Sequence, residues 1–132
     1  MRGGPVSQEV ADRFVEALRK LEEDRDVEAL VEVHTDDCDV GNVAVPKTFS
    51  GHEGLREFWT SYRDTFGEMK SEFRNVFADD AGHAALEWNT SGDANGKDVS
   101  YNGVSLLEIQ EDKVSRFRAY FDPRTVNEQV VE

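Results

Sequence analysis

The hydrophobic pattern of this chain changes period near Gly67, and that change constrains the fold more than any other feature. Before it, apolar residues recur every three or four positions. Val10, Phe14, Ala17, Leu18 and Leu21 mark a first helix, with Ser7 as its expected N-cap. Asp26 opens a shorter second helix with Val27, Leu30 and Val31 inward, and Thr35-Asp36-Asp37 ends it. Cys38 to Val45 reads as a short extended piece stopped by Pro46. Ser50-Gly51 opens a third helix with Leu55, Phe58, Trp59, Tyr62 and Phe66 on one side, and Gly67 is its expected terminator. After Gly67 the period is two. Met69 to Ala78, Ala84 to Ser91, Val99 to Gln110 and Val114 to Asp122 read as strands. Asp79 to Gly82, Gly92 to Gly96 and Glu111-Asp112 separate them with turn chemistry.

Helices first and strands second predict an α+β domain, a cone-shaped curved antiparallel sheet with three N-terminal helices packed on its concave face. At 132 residues the chain is expected to form one domain, residues 1–132, with an ordered core from about 6 to 126. Asn102-Gly103 inside a strand suggests a bend or bulge that would curve the sheet. In the strand around them, Val99, Tyr101, Leu107 and Ile109 share one face, and Val104 and Leu106 share the other. One face meets the helices. The other is expected to pair with a second copy as a homodimer, because bare apolar strand faces are rare.

Charge excludes several function classes. Asp plus Glu number 28 against 15 Lys plus Arg, a net charge of -13. Nucleic-acid binding needs clustered cations, and so does an anionic membrane surface, so neither partner is expected. The single Cys38 leaves no internal disulfide and no multi-cysteine metal site. His34, His52 and His83 are scattered without metal-ligand spacing, and Asp36, Asp37 and Asp39 are expected in solvent. No metal or cofactor is implied. No leader and no run of roughly 20 apolar residues is read, so a cytoplasmic location is expected.

The segments Gly51-His-Glu-Gly-Leu-Arg-Glu-Phe-Trp59, Leu86-Glu-Trp88, the Gly96-Lys97 hairpin and the terminal Tyr120-Phe-Asp-Pro123 carry a resemblance. Together they resemble the nuclear-transport-factor-2-like superfamily, and within it SnoaL-like domains of the polyketide-cyclase and limonene-epoxide-hydrolase kind. The resemblance covers roughly Val6 to Val126. It implies the cone fold with a pocket, on a scaffold that hosts isomerases, cyclases, hydrolases and non-catalytic binders.

The resemblance also assigns positions. The general base of ketosteroid isomerases falls on Asn42, their oxyanion-hole acid on Ser105, and their oxyanion-hole Tyr near Phe14 or Leu18. All three functional groups are changed, which disfavours that isomerisation. The water-positioning Asn of epoxide hydrolases falls on Asn42 and their last-strand Asp on Asp122, but Val40 replaces their Tyr. Their Arg is missing between Leu86 and Asn89, where Glu87 or Asn89 would have to substitute.

Two expectations follow for a pocket that takes a small apolar organic molecule. Asp122 serves as acid/base with Asn42 in support, or Asp122 caps the turn before Pro123 or pairs with Arg118 or Arg124. Asn42 orients a water or carbonyl, or bonds the backbone of the turn before Pro46. Strict alternation points Phe117, Ala119 and Phe121 into the pocket and Asp122 away. Tyr101, Ser105, Trp88, Phe58, Trp59, Tyr62, Phe117 and Phe121 are the expected substrate-binding lining, with His34 near its rim. The function is then cofactor-independent cyclase, isomerase or hydrolase chemistry. The alternative is a non-catalytic binding or dimerisation module.

Overall fold

The sheet is built around its last strand. In the computed structural model, which describes residues 4–126 with side chains from Ser7, the elements run α1 (Gly4–Asp24), α2 (Glu28–Glu32), β1 (His34–Asn42), β2 (Phe49–Ser50) and α3 (Gly51–Thr65). β3 (Met69–Ala78), β4 (His83–Ala94), β5 (Lys97–Gln110) and β6 (Lys113–Phe121) follow. Together they form one six-stranded sheet of order β2-β1-β6-β5-β4-β3. The meander from β3 to β6 is antiparallel. β1 lies beside β6 and runs parallel to it, so the sheet is mixed rather than wholly antiparallel. The free edge of β6 needs a ladder, and β1 supplies it from the other end of the sequence. The fold class is α+β, with α1 over β3, β4 and β5 and α3 over β1 and β2.

Several local expectations are corrected. Ser7 does not cap α1; it lies inside the helix and is 2% exposed. Thr35-Asp36-Asp37 does not end a helix. It belongs to β1, because His34, Cys38 and Val40 are buried and carry the strand past it. The pairing with β6 shifts register between His34 and Asp39, so the polar run protrudes as a bulge while the strand continues.

Gly67 is not a left-handed helix terminator. The chain leaves α3 at Phe66 in an extended conformation, φ -116° and ψ 144°. The helix end is closed by a buried cation instead. Arg63, 6% exposed, donates to Phe66 O at 2.9 Å, Gly67 O at 3.1 Å and Leu21 O at 3.2 Å. One guanidinium thus joins the C-terminal ends of α1 and α3, where unpaired carbonyls concentrate negative potential.

Asn102-Gly103 makes no bulge either. The β4–β5 pairing runs without a shift from His83 to Ala94, and the irregularities fall at Phe73/Asn75 and Glu108/Ile109. Gly103 is needed for space. A Cβ there would stand 2.5 Å from Trp88 Cζ2.

Alternation on β5 is as the sequence implies. Val99, Tyr101 and Leu107 are buried beneath the helices. Val104 and Leu106 are exposed on the opposite face with Phe77 and Tyr120. Val104 pairs with Tyr120, and Ala85 pairs with both Phe77 and Leu106 across the strands. No described helix is long and apolar enough to cross a membrane.

Candidate functional site

The helix-facing side of the sheet presents cross-strand rows of side chains. Ser71, Thr90 and Tyr101 form one row, because Ser71 pairs with Thr90 and Thr90 with Tyr101. Phe73, Trp88, Gly103 and Phe121 form the next. Leu86, Ser105, Ala119 and Asn42 form a third. Over these rows α1 lays Phe14 and Leu18, and α3 lays Phe58, Trp59 and Tyr62. Bulky rings from two helices and a curved sheet do not fill the space between them. A cavity of about 50 Å³ remains, lined by these groups except Gly103 and Leu86, and by Phe117.

The wall is mostly one connected aromatic cluster. Phe14 stacks on Phe117 with centroids 5.5 Å apart, and Trp59 meets Phe58 edge-on at 5.0 Å. Trp88 meets Tyr101 edge-on at 5.5 Å, and Phe121 lies 5.3 Å from Tyr101. Every expected lining residue reaches the cavity: Tyr101, Ser105, Trp88, Phe58, Trp59, Tyr62, Phe117 and Phe121. With Gly103 lacking a side chain, Trp88 extends over β5, and its Nε1–H donates to Ser105 Oγ at 2.9 Å.

The two expected catalytic residues are placed differently. Asp122 does not line the cavity. Phe121 takes the inward position, so Asp122 follows outward at the strand end. Asp122 Oδ1 accepts from Arg124 N–H at 3.0 Å and from Arg124 Nε at 3.2 Å, and Oδ2 accepts from Arg124 Nη2 at 3.1 Å. It therefore caps the helical turn that starts at Pro123, which suits a proline at the first helical position. The hydrogen bonds from Arg124 hold its carboxyl below the usual range, the opposite of an acid poised near neutrality.

Asn42 does line the cavity, but its acceptor is committed. Oδ1 takes the Ala44 N–H at 2.9 Å and the Val45 N–H at 3.2 Å, closing the turn after β1. Arg118 does not reach Asp122; it pairs with Asp39 at 3.2 Å. Glu87 and Asn89 fall out of phase with inward-facing Trp88. Glu87 accepts from Asn75 at 2.6 Å, and Asn89 donates to Asn102 at 2.6 Å. His34 is not at a rim. It is wholly buried, its Nδ1–H donates to Leu30 O at 2.7 Å, and desolvation lowers its pKa to about 4.

The structure adds a polar cluster that the sequence pattern does not single out. Glu22 on α1 is 5% exposed and sits behind the cavity wall. Its Oε1 accepts from Ser71 N–H at 2.9 Å, and its Oε2 accepts from Ser71 Oγ at 2.5 Å and Tyr62 Oη at 3.4 Å. Ser71 Oγ lies 2.7 Å from Thr90 Oγ1. Burial raises the Glu22 pKa, opposed by those donors and by the charge of Arg63. The Tyr101 phenol lies in the same region. It has no hydrogen-bond partner among the described residues, and burial and the charge of Glu22 raise its pKa. Trp59 Nε1–H is buried and likewise unpartnered.

Residues 11–117 match the SnoaL-like domain. The chain belongs to the SnoaL-like family. No curated protein matches it. Among solved structures, this SnoaL-like chain is similar to TerC co-crystallised with polyporic acid, with 17% identity, a TM-score of 0.81 and coverage of 96% of this chain and 99% of that one. It is also similar to a ketosteroid-isomerase-like protein from Catenulispora acidiphila in complex with trimethylamine, with 14% identity, a TM-score of 0.80 and coverage of 93% and 92%. A limonene-epoxide-hydrolase-like enzyme from M. tuberculosis shares 16% identity with a TM-score of 0.72, covering 97% of this chain and 91% of that one. At these identities the likeness is one of fold, the nuclear-transport-factor-2-like cone.

Proposed function

We propose that this SnoaL-like protein binds a small, largely apolar organic molecule in the cavity between α1, α3 and the sheet. The observation that supports this most is the wall itself: aromatic rings on every side, with hydroxyls confined to a few positions. Such a lining binds by excluding water and orients by its few polar groups. The small ligands held by TerC and by the Catenulispora protein agree with the reading. Binding without chemistry is favoured over acid/base catalysis by Asp122. A general acid or base must reach its proton, and Asp122 stands outside, bound to Arg124.

Both tryptophans of the chain, Trp59 and Trp88, line the cavity, so intrinsic fluorescence reports its occupancy directly. Titration with small alicyclic and aromatic compounds is expected to give a saturable change. Ala119→Leu, which fills the cavity from β6, is expected to abolish it. A flat response to every compound overturns the reading.

A homodimer is supported by a different observation. Phe77, Val104, Leu106 and Tyr120 are 64%, 37%, 40% and 44% exposed on the sheet face away from the helices. A second copy laid on this face would remove the patch from water. Sedimentation of Leu106→Glu beside the wild type tests it: a dimer converted to a monomer is expected, and a wild-type monomer at all concentrations refutes it.

A further inference from the structure

The hydrogen bonds around Glu22 have a direction. When Glu22 is ionised both carboxylate oxygens accept, and Ser71 commits its only hydroxyl proton to Oε2. Ser71 Oγ can then meet Thr90 only as an acceptor, so Thr90 donates its own proton across the 2.7 Å contact. The chain runs Thr90 to Ser71 to Glu22. It leaves Thr90 Oγ1 at the cavity wall with lone pairs and no proton to offer.

Beside it stands the opposite group. Tyr101 is directly across from Thr90 in the β4–β5 ladder, on the same face. Its hydroxyl has a proton and no protein acceptor among the described residues. The wall therefore sets a hydroxyl donor and a hydroxyl acceptor on facing residues of one ladder, with the Tyr62 hydroxyl close to the acceptor, within a surface that is mostly aromatic.

We infer that this pair selects a ligand hydroxyl group, which accepts from Tyr101 O–H and donates to Thr90 Oγ1. The ligand class is a small alicyclic or aromatic alcohol. A ketone satisfies Tyr101 but leaves Thr90 without a donor, and an ether does the same. An ionised carboxylic acid would in addition face the charge of Glu22. Glu22 acts here as a positioning residue, fixing the direction of the chain without touching the ligand. The assignment rests on the proposed binding cavity and deepens it.

Cyclohexanol and cyclohexanone have nearly the same shape and differ in the donor, so they test the pair. In fluorescence titrations cyclohexanol is expected to bind about tenfold more tightly than cyclohexanone, the scale of one net hydrogen bond. Thr90→Val is expected to bring cyclohexanol down to the ketone's affinity. Tyr101→Phe is expected to weaken both compounds to the same degree. Far-ultraviolet circular dichroism of each variant shows whether it is folded. If one variant does not fold, the wild-type preference and the other variant decide. Equal binding of the two compounds to the wild type overturns the hydroxyl assignment and leaves the cavity reading standing. Binding of neither overturns both.

Discussion

Trp88 and Gly103 form an interlocking pair. A Cβ at Gly103 would stand 2.5 Å from Trp88 Cζ2 and 2.6 Å from Tyr120 O, so one of these neighbours would have to move. The absent side chain is what lets the indole cross β5 to Ser105 Oγ. Gly103→Ala is therefore expected to displace Trp88, break that hydrogen bond and cost about 1–3 kcal/mol, the usual range for overpacking. Urea unfolding measures the cost, and the emission maximum of Trp88 should shift to the red. An unchanged midpoint would show that the sheet relaxes around the methyl.

Arg63 holds the other end of the cone. It serves three carbonyls from two helix ends and stands near the buried Glu22 carboxylate. Arg63→Met keeps most of the volume but leaves those carbonyls without donors and Glu22 without its nearby cation. The expected cost is about 3–5 kcal/mol, as for other buried charges left without partners. Arg63→Lys should recover little of it, since one ammonium cannot match the spread of a guanidinium. Chemical denaturation of both variants decides, and a loss within error of zero for Arg63→Met would show that the joint contributes nothing to stability.

Much of this fold is legible in the amino-acid sequence, and the features that are not share a cause. Hydrophobic period marks the three helices, the four long strands and the aromatic lining, because burial of large apolar groups dominates the pattern. Glu22 and Arg63 look like solvated charges by residue type alone. Yet Glu22 stands four residues beyond Leu18 and eight beyond Phe14, in line with the apolar face of α1. Arg63 continues Leu55 and Trp59 on α3 in the same way. A charge that extends an apolar stripe is buried with it, and that spacing is the available signal. Ser71 and Thr90 likewise lie in phase with Phe73 and Trp88. Asp122 misleads because the resemblance attaches chemistry to a position, while alternation already points its side chain outward. The β1 bulge is not legible, since its pairing with β6 depends on contacts about eighty residues away.

The Glu22 pKa, raised chiefly by burial, has a definite sign for stability. The folded state holds its proton to higher pH than the unfolded chain does, so stability is greatest below the unfolded value of 4.5. It falls as pH rises from there through the folded value. The facing groups are Arg63 and Tyr62 on α3 and Tyr101 on β5, and both phenols, their pKa values raised by burial, stay protonated through this window. Glu22→Gln removes the ionisation. Relative to the wild type it is expected to gain stability steadily as pH rises from 4 to 7. Melting temperatures at several pH values check this, and a gap that narrows with rising pH would reverse the sign.

Asp122→Asn tests the separation of the terminal carboxylate from the cavity. Its oxygens are used by Arg124, not by anything in the cavity wall. The variant is expected to bind cavity ligands with wild-type affinity and to show no pH dependence that the wild type lacks. A marked loss of ligand affinity would return Asp122 to the site.

His34 works against Glu22 at acid pH. It is neutral in the fold because burial drives its pKa to about 4 from an ordinary 6.5, while its Nδ1–H is held by Leu30 O and its Nε2 has no partner among the described residues. A depressed folded value means stability that is complete above 6.5 and is lost as pH falls towards 4, because the unfolded chain takes up the proton first. His52 packs against the same residue, its Nε2 3.2 Å from His34 O, and its electrostatic effect also lowers the His34 pKa. A difference of this size corresponds to roughly 3 kcal/mol between the two pH limits. His34→Gln retains a polar side chain without a titrating ring, and it is expected to abolish most of the acid-side loss while lowering stability at neutral pH through a poorer fit. If the variant and the wild type lose stability in parallel between pH 6.5 and 4, the acid sensitivity of this fold lies elsewhere.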